Sequence, residues 1–338
     1  VSDLAWLDTF HGFLLVDKPE GITSQDVITR LQHALMNRSG GKLKKKMLPS
    51  MGHGGTLDPF ATGLLVVAVG DGVKLTRYLL GSEKSYEADV AFGARTASGD
   101  LTNEVVARTD RFPSNEATLR ETAASFVGNP YLQLPPMYSA KKIAGVPLYE
   151  MARKGLDVER EKVSCTVRDF SVTEVTPGSN GIASARIRAT VSSGTFIRTL
   201  AEDFAGRMDS LGHLTSLRRL ASGSIRLENA MTIDALSASL EKGQAWSSLP
   251  CFTSFHRAIL GILPCMEIEV PVATRIFSGE VKTLGELILT EVGSIALYSR
   301  DHLVAIVREQ DATLGTPRTI ERGFPMRFGD PISEIQND

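Results

Sequence analysis

At 338 residues the chain can hold one large domain and a smaller one, and its 42% hydrophobic and 22% charged content, with net charge −2, is that of an ordinary globular protein. No uninterrupted apolar run approaches the ~20 residues a membrane helix requires, so no membrane partner is expected. Cys165, Cys251 and Cys265 form no CxxC pair and the six His are scattered, which argues against a disulfide framework, a zinc site or any other metal. The opening residues lack a basic-then-apolar leader pattern. A reducing, cytoplasmic setting is expected, or the nucleus or an organelle if the source is eukaryotic.

Phe13 to Val16 is a short apolar strand that ends in the turn Asp17-Lys18-Pro19-Glu20-Gly21. Thr23-x-x-Asp26 then has the form of a capping box. Val27, Ile28, Leu31, Ala34 and Leu35 follow at helical spacing and give one buried face. From Asn37 to Ser50 the chain is polar and basic, and reads as a flexible insertion.

The stretch Gly52 to Gly63, GHGGTLDPFATG, carries the sharpest chemical signal. Its glycines permit positive φ and close backbone approach. Pro59 fixes its own φ and pushes Asp58 toward an extended conformation. The run Leu64 to Val69 reads as a buried strand, so Asp58 is a carboxylate presented at the lip of a sheet, suited to a nucleophile or base. The competing local reading makes Asp58 the N-cap of a helix with Pro59 at N1.

Val73 to Leu80 reads as a helix, Tyr86 to Phe92 as a half-buried strand, and Ser114 to Phe126 as a helix. Gly128 to Gly155 mixes prolines, aromatics and lysines in a long ordered loop, with a helix from Pro147 to Lys154 stopped by Gly155. Ala183 to Val191 alternates strictly, as a strand does. Ser192-Ser193-Gly194 turns into a helix from about Phe196 to Met208. Ala230 to Leu249 is polar and helical. Beyond it, Leu287 to Thr290, Ser294 to Ser299 and Leu303 to Val307 read as the short strands of a small β-rich unit.

Six segments recur in a familiar order: LLVDKPEGITS (Leu14–Ser24), GHGGTLDPFATGLL (Gly52–Leu65), KSYEADVAFGARTASGD (Lys84–Asp100), QLPPMYSAKK (Gln133–Lys142), SSGTFIRTLAEDF (Ser192–Phe204) and HLTSLRRLASG (His213–Gly223). Together they strongly resemble the TruB family of tRNA pseudouridine synthases, the stand-alone enzymes for uridine 55 of the TΨC arm. The resemblance spans residues 11–225. It implies an α/β fold of the α+β type, with a large, mainly antiparallel sheet over residues 10–240. Residues 128–155 would be an RNA-binding insertion, and residues 260–330 a small β-rich, PUA-like C-terminal domain.

Carried over by motif, Asp58 matches the essential aspartate, Tyr86 the tyrosine that stacks on the target base, and Arg198 the arginine that pairs with the aspartate. His53, Phe196 and Leu217 match positions that contact the everted nucleotide, Phe196 standing where the family often has tyrosine. Lys18, with Pro19, matches a motif beneath the site, and Lys141 is expected to bind the RNA. The substrate implied is the tRNA T-arm stem-loop, bound by a monomer without a cofactor. Uridine must be cut at C1′–N1, turned and rejoined through C5. That needs a carboxylate acting at C1′ or at C6, and an everted base.

The basic clusters Lys42 with Lys44 to Lys46, Lys141–Lys142 with Arg153–Lys154, and Arg207 with Arg218–Arg219 fit an RNA partner. Each residue also has a plainer reading: Tyr86, Phe196 and Leu217 as packing, Arg198 as a partner of Glu202 at i,i+4, and His53 as a loop histidine. Two other functions fit less well. An RNA-folding protein would not need the Asp58, Tyr86 and Arg198 set, and a glycoside hydrolase would need a second carboxylate that no motif supplies.

Overall fold

The apolar run after Gly63 becomes the most deeply buried strand of an 11-stranded sheet. The computed structural model describes residues 6–7, 11–139, 141–143, 145–156, 158–289, 292–300, 302–309 and 319–324. In chain order the sheet and its helices are β1 (Gly12–Lys18), α1 (Ser24–Arg38), β2 (Thr62–Val69), α2 (Thr76–Gly81), β3 (Lys84–Phe92), α3 (Glu116–Ala124), β4 (Pro130–Gln133) and α4 (Leu148–Arg153). They continue as β5 (Val163–Gly178), β6 (Gly181–Val191), α5 (Ile197–Gly206), β7 (Gly212–Ser222) and α6 (Ile233–Glu241). Across the sheet the order is Met231–Thr232, β1, β2, β7, β3, β6, β5, β4. Neighbours run antiparallel except at β1 with Met231–Thr232 and at β2 with β7. The expected α/β architecture with a mainly antiparallel sheet is therefore present, and Phe252–Thr253, paired with β1, carries it past residue 240.

Local chemistry explains the elements that frame the site. The Thr23 hydroxyl accepts from the Asp26 N–H at 3.0 Å while the Asp26 carboxylate accepts from the Thr23 N–H at 2.8 Å, a closed capping box that starts α1. The expected apolar face, Val27, Ile28, Leu31, Ala34 and Leu35, is buried. Helix α5 is held on the sheet by Phe204, whose ring centroid lies 5.0 Å from Phe170 and 6.2 Å from Phe92. Its first turn lacks a capping side chain of its own. Gln133 of β4, fully buried, takes that role: its Oε1 accepts from the Phe196 N–H at 2.7 Å and its Nε2 donates to the Phe196 carbonyl at 2.9 Å.

A four-stranded C-terminal sheet follows, β8 (Cys265–Glu267), β9 (Gly293–Ser299), β10 (His302–Glu309) and β11 (Thr319–Gly323), with α7 (Val270–Phe277) against it. One face of β10, through Leu303 and Ile306, joins the core that contains β1 and β2. The other face closes a smaller cluster with Ile276, Leu284 and Leu297.

Three expectations need correction. Asp58–Pro59 opens a turn, with the Ala61 N–H on the Asp58 carbonyl at 3.1 Å, and starts no helix, because β2 begins three residues after Pro59. Helix α6 ends at Glu241, since Gly243 adopts φ +80° and the chain turns before a short 3₁₀ segment at Trp246–Ser248. Leu287 to Leu289 form no strand: they follow a 3₁₀ turn, Val281–Glu286, that Arg275 holds by bonding both Glu280 and Glu286. Thr290 and residues 325–330 lie outside the described residues.

Candidate active site

The cleft lies where β2 and β7 run parallel, beside β3. Gly63 pairs with Arg219 at that junction, and with φ +96° a Cβ there would come within 2.4 Å of the Arg219 carbonyl, so the strands meet this closely only because the residue is glycine. Of the glycines ahead of Asp58, Gly55 is the one at positive φ, +133°. The loop Gly54–Ala61 then drops Asp58 into a cleft of about 610 Å³. Ser24 at the start of α1 braces the loop by exchanging hydrogen bonds with Leu57, N–H to Oγ at 2.9 Å and Oγ to carbonyl at 3.2 Å.

Asp58, Tyr86, Phe196, Arg198, Leu217 and Lys141, distant in sequence, line this one cleft. The Arg198 Nη2 lies 2.9 Å from the Asp58 carboxylate. Asp58 is one-third exposed while Arg198 is buried, so the carboxylate faces the open space and the guanidinium forms the wall behind it. Arg198 also donates to the Ser98 and Tyr138 carbonyls, both at 2.7 Å, and meets no Glu202 carboxylate. Tyr86 and Phe196 are half-buried aromatics and Leu217 is a buried aliphatic, an apolar lining suited to a flat base. Burial raises the Asp58 carboxyl above its ordinary range; Arg198 opposes that shift and nearby Asp100 adds to it.

Two of the expected site residues, Lys18 and His53, do not reach the cleft wall. Lys18 is fully buried, and its Nζ donates to the carbonyls of Pro19, Ile22 and Pro59 at 2.9, 2.7 and 3.2 Å. It braces the turn behind Asp58 and has no free donor for a substrate. His53 sits on the short strand Met51–His53 against β2, its Nδ1 buried without a partner among the described residues. Burial, then the Arg219 charge, lowers its pKa.

Asp100 is the group that motif reasoning passed over. It is buried, 3.5 Å from Arg198 Nη1, and its other oxygen accepts from Ser98 Oγ at 2.7 Å and the Thr102 N–H at 2.9 Å. Arg198 is thereby clamped between two carboxylates, only one of which faces the cleft. Asp100 does not serve as the second carboxylate of a hydrolase, because it is buried behind Arg198 and does not line the cleft. The signal was present: Ser98-Gly99-Asp100 is a turn sequence within the Lys84–Asp100 motif, and Gly99 adopts φ +77°.

The third basic cluster also dissolves. Arg207 stacks on Phe126, Arg218 pairs with Asp17 at 2.7 Å, and Arg219 is buried with its donors on the carbonyls of Leu64 and Gly55. The lysines Lys44 to Lys46 are exposed, but they follow the C-terminal end of α1, whereas the loop of Asp58 packs at its N-terminal end. Among the described residues no three His, Cys, Asp or Glu are grouped to hold a metal ion, and no helix is long and apolar enough to cross a membrane.

Residues 42–197 match the TruB family pseudouridylate synthase N-terminal domain. A tRNA pseudouridine synthase B of Burkholderia mallei (strain NCTC 10247) is 36% identical over 317 residues, covering 92% of this chain and 97% of that protein. One from Geobacter sulfurreducens is 40% identical over 232 residues, 69% of this chain and 71% of that protein. Among solved structures, one chain of a Cbf5-Nop10-Gar1 complex matches with a TM-score of 0.67 at 21% identity, over 93% of this chain and 85% of that one. The fold is that of the pseudouridine synthases, with a C-terminal β domain. The chain belongs to the TruB family of pseudouridine synthases, which are isomerases.

Proposed function

We propose that this enzyme is a stand-alone tRNA pseudouridine synthase that isomerises uridine 55 in the TΨC loop. The observation that carries the assignment is the Arg198–Asp58 pair at 2.9 Å, set in a cleft walled by Tyr86, Phe196 and Leu217. The tRNA synthases that share 36–40% of its residues support the choice of RNA.

The chemistry follows from the geometry. A uridine held in the T loop must be flipped to reach Asp58, at a cost of a few kcal/mol that stacking on Tyr86 and packing on Phe196 and Leu217 would offset. Arg198 has no freedom to leave, being fixed by two carbonyls and Asp100, so it orients one Asp58 oxygen and leaves the other for the nucleotide. Asp58 then acts as nucleophile at C1′ or at C6, and Tyr86 presents a phenol to the ring for proton transfer. The exposed Lys141, at the cleft edge on the insertion, would meet phosphate, and His53 would occupy the space the uridine leaves. No step calls for a cofactor or metal, and one chain carries the whole set, so a monomer suffices.

The test is a short T-arm stem-loop RNA incubated with wild type and with Asp58→Asn, position 55 being read for pseudouridine. Product from wild type alone is expected. No product from wild type would reject the T-arm substrate, and product from Asp58→Asn would reject Asp58.

A further inference from the structure

Three cations stand around the loop that carries Asp58, and all are buried: Lys18 at 0%, Arg219 at 2% and Lys84 at 7% exposure. Instead of pairing with carboxylates, each points its donors at backbone carbonyls. Lys84 Nζ donates to Leu79, Leu80 and Ser82 at 2.9, 2.8 and 2.6 Å. Arg219 donates to Leu64 and Gly55 at 2.7 and 3.0 Å. Lys18 donates to Pro19, Ile22 and Pro59, as described above. Arg219 is the centre of the group, since its charge acts on both lysines.

Burying a cation without an opposite charge costs several kcal/mol even after the protein relaxes, and neutral donors could satisfy the same carbonyls. The fold nevertheless does so at Lys84 and Arg219 on the cleft wall, whereas Lys18, behind the wall, has the Asp58 charge nearby. The cleft wall shows the same imbalance: Lys84, Lys141, Arg198 and Arg219 line it, with Asp58 as the only carboxylate. Arg198 is matched by Asp58 and Asp100, while Lys84 and Arg219 are left to project a positive field into it. Held by three and two strong hydrogen bonds, neither can swing out to bind phosphate directly.

We infer that Lys84 and Arg219, backed by Lys18, form a fixed electrostatic cage that stabilises the anionic uracil ring during isomerisation. The inference rests on the isomerase assignment above and holds for either chemical route. If Asp58 attacks C1′, an oxygen–C1′ bond forms, the N1–C1′ bond breaks, and its electron pair leaves with the uracil as a monoanion. If Asp58 adds at C6, the C5–C6 π pair moves toward C4 and O4 and the ring becomes an enolate. Both routes place one negative charge on the base inside the cleft, where preorganised charges act without reorganisation. Product then forms as C5 joins C1′. On the first route the Asp58–C1′ bond breaks and returns its pair to the carboxylate. On the second the N1–C1′ bond breaks with its pair on N1, and Asp58 is then expelled from C6. In both the C5 proton is lost and N1 gains one.

Lys84 is the member to test, because Gln at this position removes the charge and still offers two N–H donors to the three carbonyls. In single-turnover assays on T-arm RNA, Lys84→Gln is expected to lower the rate constant by about 10- to 100-fold, somewhat less than loss of a direct oxyanion donor, with RNA affinity within about twofold. With 5-fluorouridine at the target position the ring accepts negative charge more readily but has no C5 proton to lose. The same variant should therefore lose less rate in consuming that nucleotide, followed as its disappearance and not as pseudouridine. A Lys84→Gln enzyme as fast as wild type, or one equally impaired on both RNAs, would overturn the cage.

Should Lys84→Gln fail to fold, Lys84→Arg carries the test. Burial brings Lys84 to about 8, so the wild-type rate falls as pH rises through that value, while the arginine stays charged and the variant falls less steeply. Lys84 faces Arg219 across the strand junction and otherwise meets the backbone of α2 and Ser82; Asp58 and Tyr86 are the other titratable groups on this part of the wall. Superimposable pH profiles would overturn the inference. A wild-type chain inert on T-arm RNA would instead reject the substrate assignment.

Discussion

At the scale of single residues, the site consists of one carboxylate turned to the cleft and one turned away, joined by Arg198. Asp100 meets Arg198 as an ion pair at 3.5 Å, so Asp100→Asn, which removes that charge behind Arg198, is expected to lower kcat by about 10-fold while RNA affinity holds. Steady-state kinetics on T-arm RNA measures it. Asp58 gives a pH prediction. Its carboxyl is raised by burial and lowered by Arg198, so activity falls as pH drops through a value above the usual carboxylate range. Arg198→Met moves that acid limb further up, which a kcat–pH profile reads. The linkage sign for stability follows. A carboxyl raised on folding binds its proton more tightly in the native state, so its ionisation lowers stability as pH rises through the native value. Asp58→Asn should therefore melt at the wild-type temperature or above at neutral pH, whatever its activity.

At the scale of elements, the parallel contact of β2 with β7 and the clamp of β4 on α5 position the chemistry. Gly63→Ala adds a Cβ at φ +96°, 2.4 Å from the Arg219 carbonyl. Strain of about 1–3 kcal/mol is expected from the backbone alone, and any shift of β2 displaces Asp58. Thermal melting and kcat should fall together. Much of this level was legible in advance. The capping box of α1, the buried run of β2 and the alternation of β6 are written in short-range patterns, because their hydrogen bonds and faces depend on neighbours within a few residues. The clamp was not legible: Gln133 lies 63 residues from Phe196, and a single amide spanning that separation leaves no periodic trace.

At the scale of the whole molecule, the C-terminal sheet is tied to the catalytic sheet through Glu321. Its carboxylate accepts from Tyr78 of α2 at 3.0 Å, Ser294 at 2.6 Å and Arg308 at 2.9 Å, with Arg77 at 3.3 Å. Burial pushes this carboxyl up, but the bonds from Ser294, Arg308 and Tyr78 outweigh it and bring the group down to about 2. A depressed carboxylate contributes stability above its unfolded value of 4.5, reduced here by solvent screening of the exposed Arg77 and Arg308, and that stability is lost as pH falls toward 2. Glu321→Gln should thus be less stable than wild type at neutral pH and converge with it in acid, as denaturant titrations at several pH values would show.

The sequence by itself determined the family and much of the sheet-and-helix pattern. It also singled out Asp58, Tyr86, Phe196, Arg198 and Leu217, which the fold brings to one cleft, because each lies in a motif whose residue types and order suffice to recognise it. What only the tertiary structure decided was the partnership among charges. Arg218 and Arg219 are adjacent in a strand and look alike in sequence, yet one reaches Asp17 at the surface and the other is buried beneath the loop of Asp58. Lys18 reads only as part of a motif beneath the site until its three carbonyl partners show what it braces. The physical reason is that a charge takes its role from the dielectric and the partners around it, and folding supplies both from distant parts of the chain.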